Sequence, residues 1–278
     1  MRIVEKFIQS KTGNIRYCED TYFCNDHFAV VIDGATNVSD REFSGKTPGQ
    51  LAASTIKQTF LHLGGKEDIE AIVQAINSNY QQLYKRLEIE DEIQEKPYIR
   101  PSASMIIYSK YHQRVWMIGD CQCFYNDTLH QNIKRVDEVF EEVRSIIMKG
   151  ELQVGKKPEE LMVDDIGFEL IKPLIQKQYN FQNATPASSL SYAVVNGFTI
   201  PLELIKTIDI PPNTEYISLG SDGYPKIYGS LEETERELKR LLEIDPLCIE
   251  ENMGTKGVAK NNISFDDRTY IKVEIDAL

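Results

Sequence analysis

Phe28-Ala29-Val30-Val31-Ile32-Asp33-Gly34 is the stretch of the chain from which the fold can be worked out. Five consecutive apolar residues, three of them β-branched, lead directly into an Asp-Gly pair, which predicts a buried strand ending in a sharp turn. The same pattern returns at Tyr216-Ile217-Ser218-Leu219-Gly220-Ser221-Asp222-Gly223. Asp-Gly is common in tight hairpin turns, so either pair alone favours a purely structural interpretation. Together, two such carboxylates on distant core strands suggest a site assembled from both halves of one domain.

The composition is that of an acidic globular protein of 278 residues, with a formal net charge of −12. This charge argues against nucleic acid as a partner, because binding to a phosphate backbone needs clustered Lys and Arg. It favours hard cations with oxygen ligands, whereas four histidines without ligand spacing argue against zinc. No apolar run is long enough to predict a membrane span. Five cysteines and a start without an apolar leader predict a reducing cytoplasm.

Periodicity along the chain predicts one α+β domain over residues 1–278. Thr47 and Pro48 are typical of a helix start, and residues 69–87 have a clear 3.6-residue period. Residues 114–125 are predicted to form a single strand, and further strands are predicted at 104–109, 189–195, 204–210 and 268–275. Residues from about 132 to 185 are charged and amphipathic, which predicts a helical insertion rather than a second domain.

Acidic residues stand at many of the predicted strand ends and strand–turn junctions: Glu19, Asp20, Asp33, Asp120, Asp222, Asp266 and Asp267. Taken singly, each has a sufficient explanation as a turn or edge residue. If the strands belong to one sheet system, several of these carboxylates converge, and each close pair repels by about 4 kcal/mol at an effective dielectric constant of about 20. Such a cluster is stable only when some carboxylates are protonated or when divalent cations lie between them.

The ordered set of acidic motifs resembles that of the metal-dependent serine/threonine phosphatases of the PPM (PP2C-like) family. Each motif is short, but all five occur in the family's order and cover nearly the whole chain. They are Cys18-Glu19-Asp20-Thr21, Val31-Ile32-Asp33-Gly34, Ile118-Gly119-Asp120, Leu219-Gly220-Ser221-Asp222-Gly223 and Phe265-Asp266-Asp267-Arg268-Thr269.

The resemblance implies an αββα sandwich of two antiparallel sheets flanked by helix pairs, with two Mg²⁺ or Mn²⁺ ions and a third, more weakly bound one in a cleft at one end. The implied reaction is attack on a phosphoester by water activated between the two cations. Asp33, Asp222, Asp266 and Arg16 are the implied catalytic residues. The implied metal ligands are Asp33 as the bridge between two cations, the Gly34 carbonyl on one of them, Asp222 and Asp266 on the other, Asp120 for the third, and Glu19 and Asp20 directly or through water.

Four departures from the family pattern affect the expected site. Ala35-Thr36-Asn37 stands where many members have further glycines, and Cys121-Gln122 stands where Ser-Arg is usual. The family's phosphate-binding arginine precedes the Glu by four residues, a position taken here by Ile15, so that Arg16 is displaced by one. The insertion at about 132–185 occupies the place of the family's flap.

The leading functional hypothesis is a cytoplasmic phosphatase that acts on phosphoserine or phosphothreonine in proteins. Two alternatives remain open: a catalytically weak pseudophosphatase that serves as a partner-binding regulatory module, and a phosphatase of small phosphorylated metabolites. The expected partner is therefore a phosphoprotein or a small phosphoester, with neither nucleic acid nor membrane involved. The mutually repelling carboxylates favour the two catalytic hypotheses, because a binding module has no need of such carboxylates.

Overall fold

Two antiparallel sheets form the centre of the protein, whose computed structural model describes residues 1–275. The strands are β1 (Arg2–Gln9), β2 (Thr21–Cys24), β3 (Phe28–Gly34), β4 (Ala103–Ser109), β5 (Arg114–Ile118), β6 (Gln122–Tyr125), β7 (Thr128–His130), β8 (Lys206–Asp209), β9 (Tyr216–Gly220) and β10 (Arg268–Glu274). The first sheet has the five-stranded order β1-β10-β9-β6-β7, and the second has the five-stranded order β2-β3-β4-β5-β8.

Helices begin where the sequence offers capping residues. Thr47 accepts a hydrogen bond from the Gln50 backbone, the Gln50 side chain bonds back to Thr47, and Pro48 opens the helix. Asp68 and Ser230 cap two further helices by accepting hydrogen bonds from the backbone amides of Ala71 and Glu233. The helices are α1 (Pro48–Phe60), α2 (Ile69–Leu87), α3 (Glu92–Glu95), α4 (Arg135–Gln153), α5 (Pro158–Leu161), α6 (Ile166–Gln178) and α7 (Leu231–Ile244).

Alternation along β3 explains how the layers stack. Val30 and Ile32 pack against α1 and α2, whereas Ala29 and Val31 point to the other side and pack against the first sheet. Helix α7 covers the outer face of the first sheet through Leu238. Both faces of β3 are therefore buried, which accounts for its uninterrupted apolar sequence. The predicted αββα sandwich is confirmed.

The prediction of one strand over residues 114–125 was wrong. Strand β5 belongs to the second sheet and β6 to the first, so the chain crosses between sheets at Gly119 and Asp120. Gly119 has φ +87°, and a Cβ atom there would lie 2.2 Å from Ser104 Oγ. This conformation and this close approach need glycine, and the resulting bend breaks an apolar run that looks continuous in sequence.

The strand predicted at residues 189–195 was also wrong. Val195 forms an isolated bridge with Ala103, and Tyr192 forms another with Gln182. Side chains bind the remaining polar groups of this backbone: Tyr80 donates to the Val195 carbonyl, and Asn183 bonds both the amide and the carbonyl of Val194. The apolar pattern here reflects burial against helices rather than membership of a sheet.

The insertion predicted at about 132–185 contains helices α4, α5 and α6. Arg144 of α4 is completely buried and fastens this segment to the loop that precedes β10. Its guanidinium pairs with Asp165, the N-cap of α6, at 2.6 Å, and donates to the carbonyls of Leu247, Cys248 and Gly254. A single charged side chain thus joins two helices to one loop.

No helix within residues 1–275 is long and apolar enough to cross a membrane. The cysteines at 18, 24, 121, 123 and 248 are all free thiols.

We predict that Arg144→Met lowers the free energy of unfolding by about 3–5 kcal/mol, because Asp165 is left charged without its partner and buried carbonyls lose their donors. Urea denaturation measures the loss. Arg135→Met is the matched control in the same helix: Arg135 pairs with Glu138 at the exposed surface, so its loss is expected to change stability much less. Equal destabilisation by the two substitutions would contradict the anchoring role.

Candidate metal centre and active-site cavity

Four aspartates lie at one end of the sandwich because of where the strands begin and end. Asp33 is the penultimate residue of β3, Asp222 follows β9, and Asp266 precedes β10. Strands β9 and β10 are antiparallel neighbours, so the end of one lies beside the start of the other. Asp120 joins them at the crossing between sheets.

Asp33, Asp120 and Asp222 form the centre of the cluster. Each offers a carboxylate oxygen, and these oxygens lie within 4.8 Å of one another. The Asp222 amide donates to Asp33 Oδ2 at a long 3.4 Å. Nearby Asp20 is buried, and its Oδ2 atom has no hydrogen-bond partner within the described chain. Oxygen ligands this close together, beside an unsatisfied carboxylate, fit a hard divalent cation.

Glu19 and Asp20 lie immediately before β2, next to the end of β3. The Thr47 hydroxyl donates to Glu19 Oε1, which ties Glu19 to the start of α1. Asp267 accepts hydrogen bonds from the backbone amides of Glu19 at 2.6 Å and Lys11 at 2.8 Å. The Asp267 side chain therefore holds the Glu19-Asp20 pair in place by binding the backbone amide of Glu19. Sequence position alone could not separate this structural role from the role of Asp266.

Glycines allow the two Asp-Gly pairs to pack closely against other segments of the chain. A Cβ atom on Gly34 would lie 2.5 Å from the Gly49 carbonyl oxygen and 2.6 Å from that of Glu19. A Cβ atom on Gly223 would lie 1.8 Å from the Asp267 carbonyl oxygen. The glycine of each Asp-Gly pair is thus required by contact between distant segments.

Three lysines that sequence reasoning did not identify pair with the aspartates. Lys134 lies 2.7 Å from Asp120, whose other oxygen accepts from the Ser104 hydroxyl at 2.6 Å. Lys11 and Lys256 lie 3.2 Å and 2.6 Å from Asp266. No motif marks these lysines, and a lone lysine in a sequence is usually solvated.

The pKa values divide the carboxylates into two groups. Burial raises the pKa of Asp20 to about 8 and that of Asp33 well above its usual range, and in both cases neighbouring carboxylates add to the increase. Burial also acts on Asp120 and Asp266, but lysines outweigh it: Lys134 lowers the pKa of Asp120, while Lys256 and Lys11 lower that of Asp266 to about 2.

The aspartates line a cavity of about 460 Å³ whose other walls come from α4, α6 and residues 252–256. Asp33, Asp120, Asp222 and Asp266 all contribute to its surface, as do Lys134 and Lys256. Arg16 does not line this cavity: it is exposed on a short 3₁₀ turn, where its carbonyl accepts from Gln50. Glu19 and Asp20 lie behind the cavity surface.

We predict that Gly223→Ala displaces the Asp222 turn, because the new methyl group would overlap the Asp267 backbone. We expect a loss of more than about 2 kcal/mol in the free energy of unfolding, measured by urea denaturation. Gly150→Ala is the control, since a Cβ atom in this part of α4 meets nothing within 4 Å and helical Ala is favoured over Gly. A neutral Gly223→Ala would show that the turn does not need this contact.

We predict that metal-free protein loses stability as the pH rises. A carboxyl group whose pKa is higher in the folded than in the unfolded chain stabilises the fold below its unfolded pKa, and this contribution disappears as the pH approaches the folded value. For Asp20 that value is about 8. In EDTA, the melting temperature should fall between about pH 5 and about pH 8, and it should fall less for Asp20→Asn. Parallel pH profiles for the two proteins would contradict the raised pKa.

Comparisons with known proteins give matches among solved structures. No protein-family model matches the chain, and no curated protein matches it. The chain is similar to the serine/threonine phosphatase PstP/Ppp of Mycobacterium tuberculosis, with TM-score 0.47, 15% identity and coverage of 99% of this chain and 100% of that one. The serine/threonine phosphatase Stp1 of Staphylococcus aureus matches with TM-score 0.47, 14% identity and coverage of 99% and 96%.

A further match is PppA of Pseudomonas aeruginosa, described as a key regulatory component of T6SS, with TM-score 0.47, 14% identity and coverage of 98% of this chain and 96% of that one. Each of these matches is a similarity to that one solved structure, at 14–15% identity.

Proposed function

We propose that the protein is a metal-dependent phosphoprotein phosphatase that hydrolyses phosphoserine and phosphothreonine at a centre of Mg²⁺ or Mn²⁺. The observation that carries the proposal is the convergence of Asp33, Asp120 and Asp222, whose oxygens lie within 4.8 Å of one another on the wall of a cavity of about 460 Å³. Hard divalent cations prefer such ligands, and a phosphoester is a substrate whose charge these cations neutralise.

Asp33, Asp120 and Asp222 are the residues we propose to hold the first cation. The family resemblance implies two cations that share Asp33, with the Gly34 carbonyl on one and Asp222 and Asp266 on the other. It also implies Glu19 and Asp20 as residues that act directly or through water. When bound, such cations supply a water of lowered pKa and neutralise phosphoryl oxygens.

The chain's own residues contribute orientation and charge. Ser104 and Lys134 hold the two oxygens of Asp120 and so fix its direction. Lys134 and Lys256 are the cationic side chains on the cavity wall among the described residues, and we propose that they attract the phosphoryl group. Arg16, which the resemblance assigns to phosphate, is exposed outside this cavity, so its role stays a prediction.

A peptide substrate is favoured over a small phosphorylated metabolite by the charge of the cavity wall. Asp137, Glu138 and Glu141 of α4 line the cavity beyond the aspartate cluster. They would repel a small anionic metabolite and attract a phosphopeptide that carries lysine or arginine beside the phosphorylated residue. We propose that the helical segment at about 132–185 acts as the flap at this entrance, within one domain over residues 1–278.

We predict that the protein hydrolyses p-nitrophenyl phosphate and a phosphoserine peptide with Mn²⁺, and that EDTA stops both reactions. Asp33→Asn and Asp222→Asn should each lower turnover at least about 100-fold, because each removes a cation ligand. Their free energy of unfolding in EDTA should not fall, since repulsion within the cluster is relieved. Asp209→Asn is the control: Asp209 is exposed and pairs with Arg114 far from the cavity.

Full turnover in Asp222→Asn would show that the metal assignment is wrong. A second candidate function, a catalytically weak regulatory module, is favoured by one observation: two lysines already neutralise Asp266. Absence of turnover by wild-type protein over neutral to alkaline pH, with Mn²⁺ bound, would favour this candidate. A reducing compartment such as the cytoplasm is our proposal for its location, supported by the five free thiols.

A further inference from the structure

Asp266 has a different environment from Asp33 and Asp222, because a lysine holds each of its oxygens. Lys11 Nζ lies 3.2 Å from Oδ1, and Lys256 Nζ lies 2.6 Å from Oδ2. Both lysine side chains are about four-fifths buried, with 20% and 19% of their surface exposed. Among residues 1–275, no lysine or arginine forms an ion pair with Asp33 or Asp222.

Asp266 has an ammonium partner on each carboxylate oxygen without any added cation. Lys11 also lies 3.5 Å from Glu19, and its backbone amide donates to the Asp267 carboxylate. Within the described part of the chain, the carboxyl groups of Asp20, Asp33 and Asp222 have no such ammonium partner. A divalent cation therefore gains attraction at Asp33 and Asp222, whereas at Asp266 it meets ammonium groups that are already bound.

Lys256 is the more replaceable of the two ammonium groups. Its other partner is the neutral hydroxyl of Thr36, whereas Lys11 also serves Glu19. Lys256 lies on the cavity wall, on the loop that Arg144 anchors through the carbonyls of Leu247, Cys248 and Gly254. Moving Lys256 away from Asp266 would thus free one carboxylate oxygen for another cation. No other carboxylate would lose an ion-pair partner.

We propose that Lys256 is a tethered cation that competes with a divalent ion for Asp266. The proposal rests on the divalent centre proposed above and specifies the order in which its two cations bind. The first ion binds at Asp33, Asp120 and Asp222, and a second binds at Asp266 only when the Lys256 ammonium group withdraws.

Titration of the full-length, metal-free protein with Mn²⁺, followed by calorimetry and by electron paramagnetic resonance, tests this order. Wild-type protein is expected to bind one ion tightly and a second at least about tenfold more weakly. Lys256→Met keeps the length of the side chain and removes its charge, so the second ion should bind at least about tenfold more tightly than in wild type. Lys256→Arg should keep the weak second site.

Lys260→Met is the matched control, because it removes the same charge from an exposed position four residues further along the chain. Thermal unfolding gives a second readout. In EDTA, Lys256→Met should have a lower melting temperature than wild type, and saturating Mn²⁺ should raise its melting temperature by more than that of wild type. If Lys256→Met does not fold in EDTA, two other variants replace it in the titration. These are Lys256→Gln and Thr36→Val, the second of which removes the hydroxyl group that Lys256 contacts.

Coincident Mn²⁺ titrations for wild type, Lys256→Met and Lys260→Met, with wild-type turnover intact, would overturn this inference and leave the proposed phosphatase standing. An equal increase in affinity for the second Mn²⁺ ion in Lys256→Met and Lys260→Met would overturn the inference as well, since the increase would then come from the change in net charge. No Mn²⁺ binding by any of these proteins would overturn the inference and the proposed function together.

Discussion

Repulsion between carboxylates at one end of the sandwich is the constraint on which the rest of the site depends. Asp33 and Asp222 end strands of different sheets, and Asp120 lies where the chain passes from one sheet to the other. The packing of the two sheets forces these side chains together, because the apolar residues just before them are buried between the sheets. The free energy of burying those residues therefore holds the acids in an arrangement that water alone would disperse.

The molecule counters this repulsion in two ways. At Asp120 and Asp266, lysines from other segments lie within hydrogen-bonding distance and keep the carboxylates ionised. Asp20 and Asp33 form no ion pair with a lysine of residues 1–275, and burial raises the pKa of each, so these groups take up protons or need cations. The same cluster thus contains positions that are internally neutralised beside positions that are not.

The sequence predicts those parts of the site that follow from local pattern. Strand β3 could be predicted because its apolar residues are consecutive in the chain, but the sharp turn predicted at Asp33 and Gly34 was wrong, since both residues still pair with β4. The crossing at Gly119 could not be predicted, since an apolar run that changes sheet has the same pattern as one that continues. Lys11 and Lys256 could not be predicted either, because their partner Asp266 is reached only through tertiary packing, and a lysine in sequence carries no signal of its partner.

The helical segment and the cluster are connected through Arg144. This residue binds the N-cap of α6 and the carbonyls of the loop that carries Lys256, so both walls of the cavity share one buried anchor. A charge buried so completely is costly to move, because its partners cannot be replaced by water without opening the core. We therefore expect the loop to keep its position at these contacts, so that Lys256 moves mainly by rotation about the bonds of its own side chain. Exchange between an ammonium group and a divalent ion at Asp266 then requires rotation of one side chain rather than rearrangement of the cavity.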